Sequence, residues 1–97
     1  MTYSLHPDAE KELTAAAAFY KERAGAALAL AFLAEFERVA KLLVQNPELG
    51  TPASGPRRIY PFQRFPYSVV YRAAPEGLRI LVIGHQHRRP NYWRGRV

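Results

Sequence analysis

The richest stretch of side-chain chemistry is "GHQHRRPNYWRGRV", residues 84–97, with two histidines, four arginines, a tyrosine and a tryptophan directly behind a strand-like apolar run. Metal-free cleavage of RNA needs a base for the 2′-hydroxyl, an acid for the leaving oxygen, and cations for the charge that develops on phosphorus. The proton carriers for such a reaction would be His85, His87 and Tyr92, and the cations Arg64, Arg72, Arg88 and Arg89. No carboxylate falls between Leu49 and Pro75, so a glutamate-based mechanism would have to borrow a residue from the first half of the chain. His85 and His87 have metal-ligand spacing, but no cysteine exists and no acid lies near them, so no metal site is expected. Phosphate-binding glycine loops and nucleophilic serine motifs are absent, and no cofactor is expected.

Charge is divided sharply along the chain. Residues 1–48 carry five positive side chains against seven negative, net −2. Residues 49–97 carry nine arginines against Glu76 alone, net +8. Every positive side chain in the second half is arginine, the type suited to bidentate contact with phosphate or carboxylate and to stacking on bases. Arg57, Arg58, Arg79, Arg88, Arg89 and Arg94 are therefore candidates for a nucleic-acid-binding surface. Such patches also serve acidic protein partners, and arginines on an exposed sheet can be solvated surface, with Arg72 paired to Glu76 or to a helix acid.

These side chains need a scaffold, and 97 residues with 48% hydrophobic and 12% aromatic content suffice for one core. "TYSL" reads as a first strand. His6-Pro7-Asp8 reads as a helix start, with Leu13, Ala16, Ala17 and Tyr20 inward, Lys11, Glu12, Lys21 and Glu22 outward, and an end near Arg23. Leu28, Phe32, Phe36, Val39 and Leu43 mark one face of a second helix from about Ala26 to Gln45, stopped by Asn46-Pro47. The two helices, with only a short break at Ala24-Gly25 between them, form an antiparallel hairpin over 7–46.

"NPELGTPASGP" is a loop, and RRIYPF, YSVVYR and LRILVIGH then read as three consecutive antiparallel strands, with Pro61 at an edge or bulge. The expected fold is α+β, in the order β-α-α-β-β-β, a helical hairpin on a small twisted antiparallel sheet, with sheet and basic tail over 57–97 and one domain over 1–97. Plain strand alternation places Arg79, Leu81, Ile83 and His85 on one side of the last strand and Ile80, Val82 and Gly84 on the other. Tyr92 and Trp93 are expected to fold the tail back against the sheet. The N-terminus lacks a leader pattern and no apolar stretch is long enough to span a bilayer, so a cytoplasmic, non-membrane protein is expected.

The segments "LHPDAEKEL", "NPELGTP", "RRIYPFQRFPYSVVYR" and "ILVIGHQHRRPNYWRGR" together resemble the RelE/ParE superfamily of bacterial type II toxins, including those labelled plasmid-stabilisation proteins. The resemblance spans nearly the whole chain. It implies a helical hairpin on a twisted sheet, growth arrest, and a cognate acidic antitoxin that neutralises the toxin. RelE-like members cut messenger RNA on the ribosome, and their pattern would fall on Arg64, Arg72, His85, Arg88 and Tyr92. ParE-like members instead poison DNA gyrase without nuclease residues. The expectation is an mRNA endoribonuclease; the alternatives are a non-catalytic gyrase inhibitor and a non-toxic nucleic-acid-binding module.

Overall fold

The computed structural model describes residues 2–86, 93 and 95–97. Along these residues the order is β1 (Thr2–Leu5), α1 (Pro7–Ala24), α2 (Ala26–Gln45), β2 (Thr51–Pro52), β3 (Arg57–Pro61), β4 (Tyr67–Ala74) and β5 (Gly77–His85). The expected α+β hairpin-on-sheet architecture is borne out.

Helix α1 starts where local chemistry favours it. The His6 ring accepts the Asp8 N–H on Nδ1 at 3.0 Å, Pro7 fixes the first turn, and Asp8 and Glu10 lie at the positive end of the dipole. Gly25, with φ of 97°, breaks the chain into α2, which ends at Asn46. On α2 the residues Phe32, Phe36, Val39 and Leu43 are almost wholly buried, each contributing about 1.5–3 kcal/mol by removal from water. They meet Ala9 and Ala16 of α1 and Val69, Tyr71, Leu78, Ile80 and Ile83 of the sheet. Phe32 also stacks among Phe62, Phe65 and Tyr67, with ring centroids 5.1–5.4 Å apart.

The sheet order is β1-β5-β4-β3-β2. Two features depart from the sequence-based expectation. First, β1 pairs with β5 in parallel, so the sheet is mixed. Hairpin geometry forces neighbouring strands antiparallel only when a short turn joins them; β1 is separated from β5 by the helices and three strands, so its direction is set by entry into α1. Close approach there demands Gly77: a Cβ at this position would lie 1.9 Å from the Thr2 carbonyl oxygen. Second, the two-residue strand β2 arises inside the proline-rich loop, pairing Thr51 with Ile59 and Pro52 with Arg58.

A bulge in β5 matters more for function. Val70 faces Val82 and Tyr71 faces Ile80, which leaves Leu81 as an extra residue without a partner position. Leu78, Ile80 and Ile83 face the helices, whereas Leu81 and Val82 both join Val70 in a second apolar cluster. The expected grouping of Arg79, Leu81, Ile83 and His85 on one side is therefore corrected. The extra residue reverses the alternation, and His85 ends on the helix side of the sheet while Arg79 lies on the other.

Candidate functional site

Three arginines stand in one row across the middle of the sheet. Arg57 of β3 is in register with Arg72 of β4, and Arg72 with Arg79 of β5. Residues directly opposite across strands share a face at Cα separations of about 4.5–5.5 Å, so the three guanidinium groups project together from the face turned away from the helices. Ser4 of β1 extends the row, and Arg79 donates to its Oγ at 3.3 Å and to the Leu5 carbonyl at 3.1 Å. Arg72 donates to the Ala73 carbonyl and to a Val97 oxygen, and Arg57 to the Arg96 carbonyl. Among the described residues no aspartate or glutamate side chain is within ion-pair distance of Arg72 or Arg79, and Glu76 sits exposed in the β4–β5 turn without pairing Arg72.

Trp93 covers the same face just beyond the row. It is 5% exposed and packs on Val70, Leu81 and Val82, with Ala53 and Ile59 at its edge. The Arg57 guanidinium lies 5.7 Å from the Trp93 ring centroid, a cation–π contact that fixes its direction. Three residues on, Arg96 forms a bidentate pair with Glu12 of α1 at 2.8 and 3.0 Å and lies 3.7 Å from Asp8. The same two side chains satisfy the bulge: Glu12 accepts the Ile83 N–H and Arg96 donates to the Leu81 carbonyl. The expected return of the tail to the sheet thus holds for Trp93.

The sequence-based site residues separate into distinct places. His85 is opposite Tyr67 at the far end of β5, its ring 5.3 Å from the tyrosine ring in an edge-on contact. With Glu12, Ala15, Ala16, Phe19 and Ile83 these two line a shallow pocket of about 220 Å³ between α1 and the sheet. Arg72 is five positions along β4 from Tyr67, roughly 17 Å at about 3.4 Å per residue, and on the opposite face. The structure does not bring Arg72 and His85 together.

Arg64 is exposed in the β3–β4 turn at φ of 71°, its guanidinium 5.7 Å from the Phe65 ring. Arg58 belongs to the helix side of β3 and donates to the Glu48 and Gly50 carbonyls, so it holds the loop after α2. His87, Arg88, Arg89, Tyr92 and Arg94 lie outside the described residues.

Two polar anchors support this frame. Glu35 of α2 accepts both Arg38 nitrogens at 2.8 Å and the Gln63 N–H at 2.6 Å, tying α2 to the turn that bears Arg64. The hydrogen bond from Arg38 holds the Glu35 carboxyl below its ordinary range, with the Gln63 N–H and the Arg64 charge acting in the same sense against burial. Buried Tyr71 donates to the Pro47 carbonyl and accepts the Gly50 N–H, and burial pushes its hydroxyl pKa up.

Sequence reasoning placed Glu12 outside, yet its side chain is only 16% exposed. The available signal was its spacing: Ala9, Glu12 and Ala16 share one face of α1 at i, i+3 and i+7, and both alanines are buried. No comparable signal pointed to Ser4.

The family model described as "ParE toxin of type II toxin-antitoxin system, parDE" matches residues 3–90. Among solved structures the chain is similar to one titled "Chromosomal ParDE TA system from P. aeruginosa", at 26% sequence identity and a TM-score of 0.75, over 88% of this chain and 95% of that one. No curated protein matches it.

Proposed function

Because the chain belongs to the ParE toxin family of type II toxin-antitoxin systems, we propose that it arrests growth by binding its target, DNA gyrase, and not by cutting RNA. The observation that carries this reading is the separation of His85 from Arg72, two of the residues a nuclease would need. General acid-base cleavage works only when proton carrier and cations reach one phosphate, within hydrogen-bond distances of a few ångströms. His85 sits on the helix side of the sheet against Tyr67, whereas Arg57, Arg72 and Arg79 line the opposite face. That arrangement suits recognition better than proton transfer.

The partner that keeps the toxin harmless is, on this reading, a cognate acidic antitoxin. The net +8 of residues 49–97 suits such a chain, since complementary charge speeds association and excludes wrong partners. The test is a translation mixture programmed with a defined messenger, with new 5′ ends mapped by primer extension after adding toxin. The messenger should stay intact at doses that arrest cells and induce a DNA-damage response. Ribosome-dependent cuts that disappear in His85→Gln would overturn the proposal in favour of an RNA-cleaving enzyme.

A further inference from the structure

We infer that the row formed by Arg57, Arg72 and Arg79 is a binding face for the phosphate backbone of duplex DNA. The inference deepens the gyrase reading, which supplies the setting in which the toxin meets DNA; the row itself is read from the structure alone.

Four observations converge on it. The guanidinium groups stand in register on three adjacent strands, so their spacing is set by the sheet and not by mobile loops. Arg79 is held by the Ser4 hydroxyl and the Leu5 carbonyl, Arg72 by the Ala73 carbonyl and a Val97 oxygen, and Arg57 by the Arg96 carbonyl and the Trp93 ring, and among the described residues no aspartate or glutamate side chain pairs with Arg72 or Arg79. A guanidinium has five donors, so one or two such bonds orient Arg72 and Arg79 and leave donors for an incoming oxygen. The fourth observation separates DNA from a protein partner. Protein interfaces are anchored by apolar side chains entering pockets, but the apolar patch beside this row, Val70, Leu81 and Val82, is already covered by Trp93. Among the described residues what remains on this face is positive charge, which fits phosphate contacts that fix position without reading sequence.

The consequence is a sequence-independent, salt-sensitive affinity. Each phosphate neutralised by an arginine releases condensed counterions, so the logarithm of the binding constant falls with the logarithm of salt by about 0.9 per contact. Contacts at Arg72 and Arg79 predict a slope near about −2, approaching about −3 where Arg57 also reaches a phosphate, and dissociation constants of roughly 10⁻⁴ to 10⁻⁶ M at physiological salt, tighter at about 50 mM.

The experiment is fluorescence anisotropy of the full-length toxin, without antitoxin or gyrase, on a labelled 20-base-pair duplex of arbitrary sequence across a salt series. Arg72→Gln and Arg79→Gln should each flatten the slope by about one. Arg72→Lys should retain it because the charge is kept. Lys21→Gln, on the far surface of α1, should bind as the parent does. Slopes unchanged in Arg72→Gln and Arg79→Gln, with circular dichroism showing both folded, would overturn the inference. So would loss of binding to an acidic peptide with DNA binding unaffected. Because gyrase is absent from the assay, the two proposals fail separately: DNA binding through the row with no effect on gyrase sinks only the target, and gyrase inhibition with salt slopes unchanged sinks only the row.

Discussion

Trp93→Ala should lower stability by about 3–5 kcal/mol, although the residue lies beyond the last strand. The indole is 5% exposed against Val70, Leu81 and Val82. Covering a ring of this size removes on the order of 200 Å² from water, worth about 5 kcal/mol at 25 cal/mol/Å². Residual compactness of the unfolded chain reduces this by roughly 10–40%, to about 3–4.5 kcal/mol. Loss of the Arg57 contact with the ring adds about 0.5–1 kcal/mol. The sum agrees with the usual cost of truncating a core tryptophan. Since Trp93 is the sole tryptophan, urea unfolding must be followed by far-ultraviolet circular dichroism and not by fluorescence. With a slope of about 1.5 kcal/mol/M, the midpoint should fall by about 2–3 M. Trp93→Phe should recover more than half of that. A midpoint shift below about 0.5 M for Trp93→Ala would refute the reasoning, because the ring would then not be covering the sheet.

Glu12→Ala and Arg96→Ala should each cost about 2–4 kcal/mol, because each breaks the bidentate pair and removes the side chain that satisfies one backbone group of the bulge. In the double variant the cost should fall short of the sum by about 1–3 kcal/mol, measured by urea unfolding as a double-mutant cycle; strict additivity would contradict the pairing. Tyr71→Phe should cost about 1–3 kcal/mol, because the Gly50 N–H and the Pro47 carbonyl lose their shared hydroxyl, again checked by the urea midpoint. Glu35 supplies the pH dependence. Its pKa is lower folded than unfolded, so its contribution is present above the ordinary carboxylate range and is lost as pH falls through the folded value. Thermal scans from pH 7 downward should show the parent losing stability below about pH 5 more steeply than Glu35→Gln.

The helical hairpin was legible because Phe32, Phe36, Val39 and Leu43 repeat with the helix period and Asn46-Pro47 gives a clear stop. The three long strands were legible for the matching reason: β-branched and aromatic runs broken by proline and glycine. Three things were not. The parallel pairing of β1 depends on how the helices return the chain to the sheet, which no local pattern encodes. β2 is two residues long and contains proline, so it gives no alternating signal. The bulge at Leu81 sits inside "LRILVIGH", where every register looks equally apolar, and one extra residue was enough to move His85 to the face opposite Arg72 and Arg79. The basic character of the second half was plain from composition, but which arginines act together was not. Arg58 serves the loop after α2, Arg64 the turn, and among the described residues Arg57, Arg72 and Arg79 share a row.

The most direct test of the central claim, that this toxin acts by binding gyrase, is to incubate purified toxin with DNA gyrase, ATP and relaxed plasmid, and to resolve the products on a gel after protein denaturation. The account predicts that supercoiling is inhibited in proportion to toxin, that linear plasmid accumulates, and that His85→Gln behaves as the parent does. Normal supercoiling with no linear product, at toxin concentrations that halt growth in cells, would contradict it.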